Sequence, residues 1–364
     1  MVLFSLLQVS CGKGNPASNG VPPPPTVNPG SGDQDDPSEE DDTPKPWDEN
    51  RGKTVRPQAG NGWTVTPIDG DGIVYYYFEG TEPVTGATQR IYVTDIDLNN
   101  SAYEVKLAYY SSNSTASKVL RGTGALASIN CGYEKAALYL KVNGSVISSI
   151  SADTIGDTGV PQWKSEAALY MNNVRDVRIE FTGKGKNLAQ WRSLYRTRAA
   201  SETYMITSAP MLIDDFEPVG LDFCTLHPAA QYPDKNGKTN NSENPYNHQA
   251  SQTNPRTAIA KTEDGHVLFI VVDGRRPNVS RGISAAELTN FLVRNFNPQY
   301  ALNLDGGGSS TMCVAGQGDP TTHVVNYPVD NKDGAGKDGS PKESNGPDHA
   351  GERPRDTFLY VVKK

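Results

Sequence analysis

Residues 301–312 read ALNLDGGGSSTM, a short apolar strand that ends in an aspartate, three consecutive glycines and two serines. Glycine loses more backbone entropy on folding than other residues and brings no side chain to a core. Three in a row are expected where the backbone must pass close to another group. The stretch therefore predicts that a ligand's oxygen atoms approach the N–H groups of Gly306, Gly307 and Gly308, beside Asp305.

The residues before this stretch predict a strand–helix–strand unit. Ser284 and Glu287 have the spacing of a capping box that opens a helix over 284–296. The apolar runs 267–272 and 300–304 on either side of this helix are typical of strands. The two strands should be parallel, neighbouring or one strand apart, with a right-handed crossover. This unit and the β-branched runs elsewhere indicate an α/β (mixed α+β) domain with a mixed sheet.

Four polar side chains should meet at one end of these strands. Asp273 and Asp305 each follow the carboxyl end of a parallel strand, the edge at which open α/β sheets bind ligands. If Asp264-Gly265 is a two-residue turn, Arg256 lies directly opposite Asp273 across a hairpin. The strand period of two puts Asn303 on the same face as Asp305. A purely structural Arg256–Asp273 ion pair is an equal alternative at this stage.

Charge and motifs exclude several classes of function. The chain of 364 residues has a net charge of −8; residues 1–50 hold nine acidic residues against Lys13 and Lys45, which is −7, so −1 remains for the rest. This balance offers no basic field for nucleic acid and no polybasic membrane patch. The chain has no P-loop or HExxH motif, and Ser309 lacks the G-x-S-x-G context of a catalytic triad. We therefore expect neither nucleic-acid binding, nucleotide hydrolysis nor acyl transfer.

The N-terminus indicates export. Residues 1–11, MVLFSLLQVSC, resemble the end of a bacterial lipoprotein signal with Cys11 as the lipidated residue. Residues 12–60 are rich in proline, glycine and acid, which predicts a disordered linker. We expect an exported lipoprotein of a bacterial cell envelope, in contact with the membrane only through its lipid; a cytosolic chain with a frayed apolar start is the alternative. Residues 61–364 should form one catalytic domain, with 61–119 as a β-rich elaboration.

A series of ordered motifs resembles the phosphodiester glycosidase family. The most specific is the NLDGGGSS string, and the resemblance covers roughly residues 120–364. The motifs, in chain order, are NCGY at 130–133, SAPML at 208–212, NPRTAIA at 254–260, VVDGR at 271–275, GISAAEL at 282–288, ALNLDGGGSS at 301–310 and ERP at 352–354.

The resemblance implies a hydrolase that cleaves a sugar-1-phosphodiester, such as a GlcNAc-1-phosphodiester, at the anomeric C–O bond in envelope or extracellular glycans. Asp305 would stabilise oxocarbenium-like charge or activate water. Arg256, aimed by Asp273 and helped by Arg275, would bind the phosphoryl oxygens. No cofactor is implied, and we expect a monomer whose partner is a carbohydrate phosphodiester. The remaining substrate contacts would come from Asn130, Asn303, Gly306, Gly307, Gly308 and Ser309.

Two other functions stay open at this point. The same residues could bind a glycan without cleaving it, on a surface lipoprotein. A divalent-metal phosphoesterase could be built on Asp273, Asp305 and Asn303, which leaves a divalent cation open as a cofactor. Burial of the polar groups around a perturbed Asp305 would favour the enzyme, and a shallow aromatic platform would favour the binding protein.

The lipoprotein hypothesis predicts the behaviour of one variant. Replacing Cys11 by Ser removes the thiol that would carry the lipid. We expect the protein to move from the membrane fraction to the soluble fraction on cell fractionation. A Cys224→Ser variant is the matched control and should stay with the membrane; continued membrane association of Cys11→Ser would refute the anchor.

Overall fold

The structure, a computed structural model, describes residues 51–172, 175–182, 187–329 and 348–364, apart from the side chains of Cys224 and Ser251. Four helices are α1 (Ala116–Thr123), α2 (Leu188–Arg198), α3 (Phe223–Leu226) and α4 (Ala285–Asn295). The strands are β1 (Trp63–Pro67), β2 (Ile73–Glu82), β3 (Ala87–Asp97), β4 (Tyr103–Ser114), β5 (Ala127–Asn130), β6 (Tyr139–Val142), β7 (Ser145–Ser149), β8 (Thr154–Ile155), β9 (Val160–Pro161), β10 (Ala167–Met171), β11 (Val177–Phe181), β12 (Tyr204–Ser208), β13 (Met211–Ile213), β14 (Arg256–Lys261), β15 (His266–Val272), β16 (Tyr300–Asn303), β17 (Met312–Val314) and β18 (Arg355–Lys363).

A seven-stranded sheet contains the strands on which the sequence prediction rests. Its order is β1-β2-β3-β15-β14-β16-β13. β15 and β16 are both antiparallel to β14, so they run parallel to each other one strand apart, with α4 in their connection. The α+β class and the predicted parallel relation are confirmed. The hairpin strand β14 lies between the two parallel strands, so every neighbouring pair in this sheet is antiparallel.

The central strand β15 is buried on both faces because a layer covers each of them. Leu268, Ile270 and Val272 pack with the apolar stripe of α4. Phe269 and Val271 point the other way, into a core shared with strands of the smaller sheets. Burial of side chains of this size contributes about 1.5–3 kcal/mol each. This two-sided burial explains the unbroken apolar run VLFIVV at 267–272.

Three smaller sheets complete the fold. One has the order β17-β5-β18-β4, another β11-β10-β12-β6-β7, and the third is the β8-β9 pair. In the first of them β18 lies between β5 and β4. Strands β1–β3, from the stretch predicted as an elaboration, extend the central sheet through the pairing of β3 with β15. The N-terminal strands therefore share their sheet with the strands of the candidate site.

The hairpin between β14 and β15 differs by one residue from the predicted register. Arg256 pairs with Val272, not with Asp273. The connection is a three-residue loop over 263–265, in which Gly265 has a φ of +88°. Loops of this length with a left-handed residue are a common alternative to two-residue turns. Because side chains alternate along a strand, Arg256 and Asp273 lie on opposite faces of the sheet, and their predicted pairing is wrong.

The predicted linker is shorter than the sequence indicated. Residues 1–50, and with them Cys11 and the predicted signal, lie outside the described residues. Residues 51–60 contact the domain: Arg56 forms an ion pair with Asp95, and the N–H of Val55 donates to the carbonyl of Phe296 at 3.2 Å. The Asp95 side chain is only 5% exposed, so the partner charge of Arg56 holds this segment in place. Of the helices in the described ranges, none has the length and apolar character needed to cross a membrane.

The start of α4 provides a test of the fold. Ser284 accepts a hydrogen bond from the N–H of Glu287 at 3.2 Å, and Glu287 accepts one from the N–H of Ser284 at 2.8 Å. The predicted capping box is confirmed. Ser284→Ala should lower the free energy of unfolding by about 1 kcal/mol in urea titrations. Ser193→Ala, on the exposed side of α2, is the control and should change it little; equal effects of the two variants would contradict the capping role.

Candidate active site

Backbone segments pack directly against one another around Pro255. A Cβ on Gly306 would lie 2.8 Å from the carbonyl oxygen of Pro255. A Cβ on Gly274 would lie 2.6 Å from the backbone nitrogen of Pro255. The N–H of Gly307 donates to the same carbonyl at 2.8 Å. Contacts this short leave no room for a Cβ. The close approach that the glycines predicted therefore exists at Gly306, and the protein's own backbone makes it.

This packing positions Asp305 at the end of β16. Its carbonyl accepts from the side-chain amide of Asn130 at 2.6 Å, and its N–H donates to the carbonyl of Cys131 at 2.9 Å. The side chain is only 13% exposed, and Nη2 of Arg355 lies 3.0 Å from Oδ2. Burial raises the pKa of Asp305, whereas Arg355, a hydrogen bond from Ser309 and the charge of Lys164 act in the opposite direction. Asp305 is thus a carboxylate placed between cations.

Two arginines near the last strand were not among the predicted site residues. Arg355, at the start of β18, also donates to the carbonyl of Gly132 at 3.1 Å. Arg353 Nη1 donates to the hydroxyl of Ser309 at 3.3 Å. The signal was present in the sequence, because the ERP motif at 352–354 contains Arg353 and directly precedes Arg355.

Lys164 is a buried lysine whose charge acts on Asp305. Lys164 Nζ lies 3.2 Å from the carboxylate of Glu134 and 3.1 Å from that of Glu243, with 5% of its side chain exposed. It also lies 4.6 Å from the ring centroid of Tyr133, a cation–π distance. Glu134 directly follows Tyr133 of the NCGY motif. Lys164 stands in an irregular segment, so no strand or helix pattern identified it.

Three cations surround His248. Burial lowers the pKa of His248 to about 3, and the charges of Arg256, Lys164 and Arg275 add to this effect. The imidazole is therefore neutral at neutral pH. His248 belongs to a π-helical turn, Asn247–Ser251, a rare conformation that is frequent at functional sites.

The guanidinium of Arg256 is bonded to the protein itself. Its Nε donates to the carbonyl of Ile283 at 2.9 Å, its Nη1 to Oε1 of Gln249 at 2.6 Å, and its Nη2 to the carbonyl of His248 at 3.1 Å. Arg256 is 1% exposed. It joins β14 to the π-helical turn and to the start of α4. The described contacts make it a positioning residue for His248.

Asp273 also holds neighbouring segments together. Its carboxylate accepts from the hydroxyl of Tyr92 at 2.8 Å, the side-chain amide of Asn326 at 3.1 Å and the N–H of Tyr327 at 3.1 Å. Asn326 in turn donates to the carbonyl of Ser310 at 3.0 Å. Asp273 therefore fixes the segment that follows the three glycines. It does so from the face of the sheet opposite to the one that carries Arg256.

The two predicted asparagines are buried inside the same framework. Asn130 Oδ1 accepts from the hydroxyl of Thr257 and from the N–H of Thr311, both at 3.0 Å. Asn303 Nδ2 donates to the hydroxyl of Tyr133 at 2.9 Å and to the carbonyl of Ala209 at 3.1 Å. Asn130 is 1% exposed and Asn303 is fully buried. These contacts connect β5, β14 and β16 beneath Asp305.

Arg275 is the predicted arginine that reaches the solvent. Its φ is +61°, and its Nε donates to Oδ1 of Asn254 at 3.0 Å. Its guanidinium lies over Gly307, where a Cβ would be only 3.0 Å from Nη2. Arg275 is exposed at this position. The glycine therefore lets a solvent-accessible cation lie against the backbone next to Asp305.

The arrangement unites part of the predicted set. Asp305, Ser309, Arg275, Gly306 and Gly307 lie together, while Arg256, Asp273, Asn130 and Asn303 support them from below. No group of three or more His, Cys, Asp or Glu side chains in the described ranges is placed to hold a metal ion. A carboxylate at such a site can stabilise a cationic centre, and the cations near it can bind an anionic leaving group.

Comparison with known proteins agrees with this fold. The zebrafish N-acetylglucosamine-1-phosphodiester alpha-N-acetylglucosaminidase catalytic domain superposes with a TM-score of 0.51 at 15% sequence identity, over 85% of this chain and 87% of that one. A hypothetical protein from Synechocystis superposes with a TM-score of 0.48 at 10% identity, over 84% of this chain and 64% of that one. Among curated proteins, none matches the sequence significantly.

The fold is that of an α+β catalytic domain. Residues 124–361 match the family model described as Phosphodiester glycosidase. The chain belongs to the phosphodiester glycosidase family, and it is a hydrolase of the glycosidase type. The match begins after β4, so strands β1–β4 lie outside it while β3 is paired with the site strand β15.

Asp273 predicts how stability depends on pH. Burial raises the pKa of Asp273 from 3.8 to about 6, so between these values the folded state binds more protons than the unfolded state. Its contribution to the free energy of unfolding should therefore decrease as pH rises from about 4 to about 6, by on the order of 2 kcal/mol.

The measurement is urea unfolding at both ends of that pH range. The Asp273→Asn variant has no carboxyl group at this position, so its free energy of unfolding should decrease less than that of the parent between these two pH values. The variant should also be less stable than the parent at each pH. Asp71→Asn, at an exposed turn, is the control. The same pH slope in the parent and in Asp273→Asn would contradict the prediction.

Proposed function

We propose that the protein hydrolyses a sugar-1-phosphodiester, of the GlcNAc-1-phosphodiester type, at the anomeric C–O bond. The observation that carries the proposal is the Asp305 carboxylate, 13% exposed and 3.0 Å from Arg355, in a chain of this family. The zebrafish structure of similar fold has a name that states the same class of bond. Glycans of the cell envelope or of the extracellular space are the proposed source of the substrate.

The proposed reaction needs no strong general acid. The bond between the anomeric carbon and the phosphate oxygen breaks, and the oxygen leaves with the electron pair as a phosphate monoester. That anion is stable, so cationic groups are sufficient to support its departure. Water then adds its oxygen to the anomeric carbon and gives up a proton. The free sugar and a phosphate monoester are the products.

Asp305 supports the positive side of this reaction. An ionised carboxylate beside the sugar ring can stabilise oxocarbenium-like charge or accept the proton of the attacking water. Burial raises the pKa of Asp305, and the charge of Arg355, 3.0 Å away, acts in the opposite direction. Arg355 therefore favours the ionised form of Asp305 that this role needs.

Arg275 supports the negative side. It is exposed over Gly307 and offers a planar guanidinium suited to phosphoryl oxygens. Lys164 is buried and already paired with Glu134 and Glu243, so its charge acts on the site only from a distance. We assign the phosphate to Arg275 in place of Arg256, whose donors hold the π-helical turn.

A glycan-binding surface lipoprotein is the competing proposal. Such a protein would also be exported and anchored by a lipid at Cys11, as the N-terminal sequence indicates. It would bind the glycan with the same residues of the Asp305 site. The two proposals differ in one result. Incubation with an α-GlcNAc-1-phosphate diester should release free GlcNAc and a phosphate monoester if the protein is the proposed enzyme, whereas a binding protein leaves the diester intact. Release of GlcNAc-1-phosphate would place the cleavage at the P–O bond and contradict the assignment.

The central residue is tested by Asp305→Asn, which removes the charge and keeps the shape. If the carboxylate stabilises the transition state, kcat should fall by about 10²-fold or more. KM should change little, because the charge acts mainly on the transition state. Asp71→Asn is the control and should keep full activity. Full activity of Asp305→Asn on every diester that the parent cleaves would eliminate Asp305 from the mechanism.

The phosphate assignment is tested by Arg275→Gln. Loss of the exposed guanidinium should raise KM, because an uncharged amide cannot replace its bidentate contact with a phosphoryl group. Arg294→Gln, on α4, is the matched control. An unchanged KM for Arg275→Gln would show that the phosphate is bound elsewhere.

A further inference from the structure

One pocket of the protein is lined by none of the residues assigned to the Asp305 site. It has a volume of about 500 Å³ and is lined by residues near β9, the start of α2 and the segment after α3. This volume is within the range of pockets that hold small molecules. Glu166, Gln162 and Trp191 line it and are 1%, 6% and 4% exposed. None of these side chains has been assigned a role in the reaction.

Three polar atoms of this pocket are buried without a hydrogen-bond partner among the described residues. They are Oε1 of Gln162, Oε2 of Glu166 and Nε1 of Trp191. Buried polar atoms are nearly always paired in folded proteins, because an unpaired one costs about 1–3 kcal/mol. Three of them around one cavity indicate a place where a polar ligand supplies the missing partners.

His227 and Tyr232 hold Glu166 in position. Nε2 of His227 lies 2.5 Å from Oε1 of Glu166, and Nδ1 of His227 lies 2.6 Å from the hydroxyl of Tyr232. One carboxylate oxygen of Glu166 is thus occupied by the imidazole. The other remains for a ligand.

The unpaired atoms specify the chemistry of that ligand. Two of them are acceptors and the third is a donor, and hydroxyl groups satisfy both kinds. The ring of Trp191 adds a flat apolar surface. The carboxylate of Glu166 disfavours an anion, and a hydroxyl of a neutral ligand can donate to the oxygen that His227 does not contact. The other acid of the lining, Asp153, is paired with Arg192 at 2.8 Å.

We propose that this pocket binds one neutral pyranose unit. It lies close to the Asp305 site, since Gln162 and Lys164 are two residues apart. Trp163 between them packs against Tyr133 of that site, with ring centroids 6.2 Å apart, and against Phe223, whose ring is 4.8 Å from that of His227. The pocket therefore suits a further sugar of a glycan substrate. That last assignment rests on the proposed function, whereas the binding of a sugar does not.

The test is a ligand-observed NMR titration of the full chain with N-acetylglucosamine, glucose and galactose at millimolar concentrations. At least one should bind saturably. Trp191→Phe keeps an aromatic ring and removes the indole donor, so it should weaken binding by about tenfold, as expected for one buried hydrogen bond. Trp63→Phe, far from the pocket in sequence and packed on α4, is the matched control and should bind like the parent.

Asp305→Asn separates this site from the active site. It should bind the sugar like the parent while its hydrolytic activity falls, so failure of the sugar pocket and failure of the proposed reaction give different results. Glu166→Gln is a second pocket variant, and unfolding midpoints of all variants establish that they are folded. The proposal is overturned if no neutral sugar binds, if glucosamine binds and the neutral sugars do not, or if Asp305→Asn abolishes binding and Trp191→Phe leaves it unchanged.

Discussion

The close packing of backbone around Pro255 is the constraint on which the site depends. Gly274, Gly306 and Gly307 meet the same residue at distances that exclude a Cβ on Gly274 or Gly306. The end of β15, the start of β14 and the end of β16 are thereby held together without side chains between them. The glycines increase the conformational entropy that this segment loses on folding. The close approach of the strand ends, which a Cβ would prevent, compensates for that loss. Asp305 and Arg275 owe their positions to this contact.

Buried and accessible charges have separate tasks in this molecule. Arg256 and Asp273 are almost completely buried, lie on opposite faces of the central sheet and bind backbone groups of loops. Asp305 and Arg275 retain contact with solvent. A buried charge that is fully hydrogen-bonded fixes geometry, because removing one partner leaves an unpaired charge in a low-dielectric interior. The framework residues therefore determine where the accessible charges stand, although they need not touch a substrate.

Local patterns in the sequence predicted the local structure well. The capping box of α4, the strand on either side of it and their parallel direction follow from short spacings and from apolar periodicity. The hairpin register failed because a three-residue loop and a two-residue turn share the same Asp-Gly signal, and one residue reverses the face of every side chain. Lys164 and His248 stand in irregular segments and reach the site through long-range packing, for which periodicity offers no signal. Arg355 directly follows the ERP motif at 352–354, but only the pairing of β18 with β5 shows that this arginine contacts Asp305.

The position of β18 has a consequence for biogenesis. This strand brings Arg355 to Asp305 and joins β4 to β5, so strands from opposite ends of the described chain must find each other before the site is complete. Contacts between residues so distant in sequence are characteristic of slow folding, because a long loop must be closed before they form. A nascent chain in which β18 has not yet been synthesised contains the three glycines and Asp305. It lacks Arg355, whose charge opposes the protonation of Asp305. If Arg355 supports Asp305 as proposed, activity appears only after β18 has been synthesised and has inserted between β4 and β5.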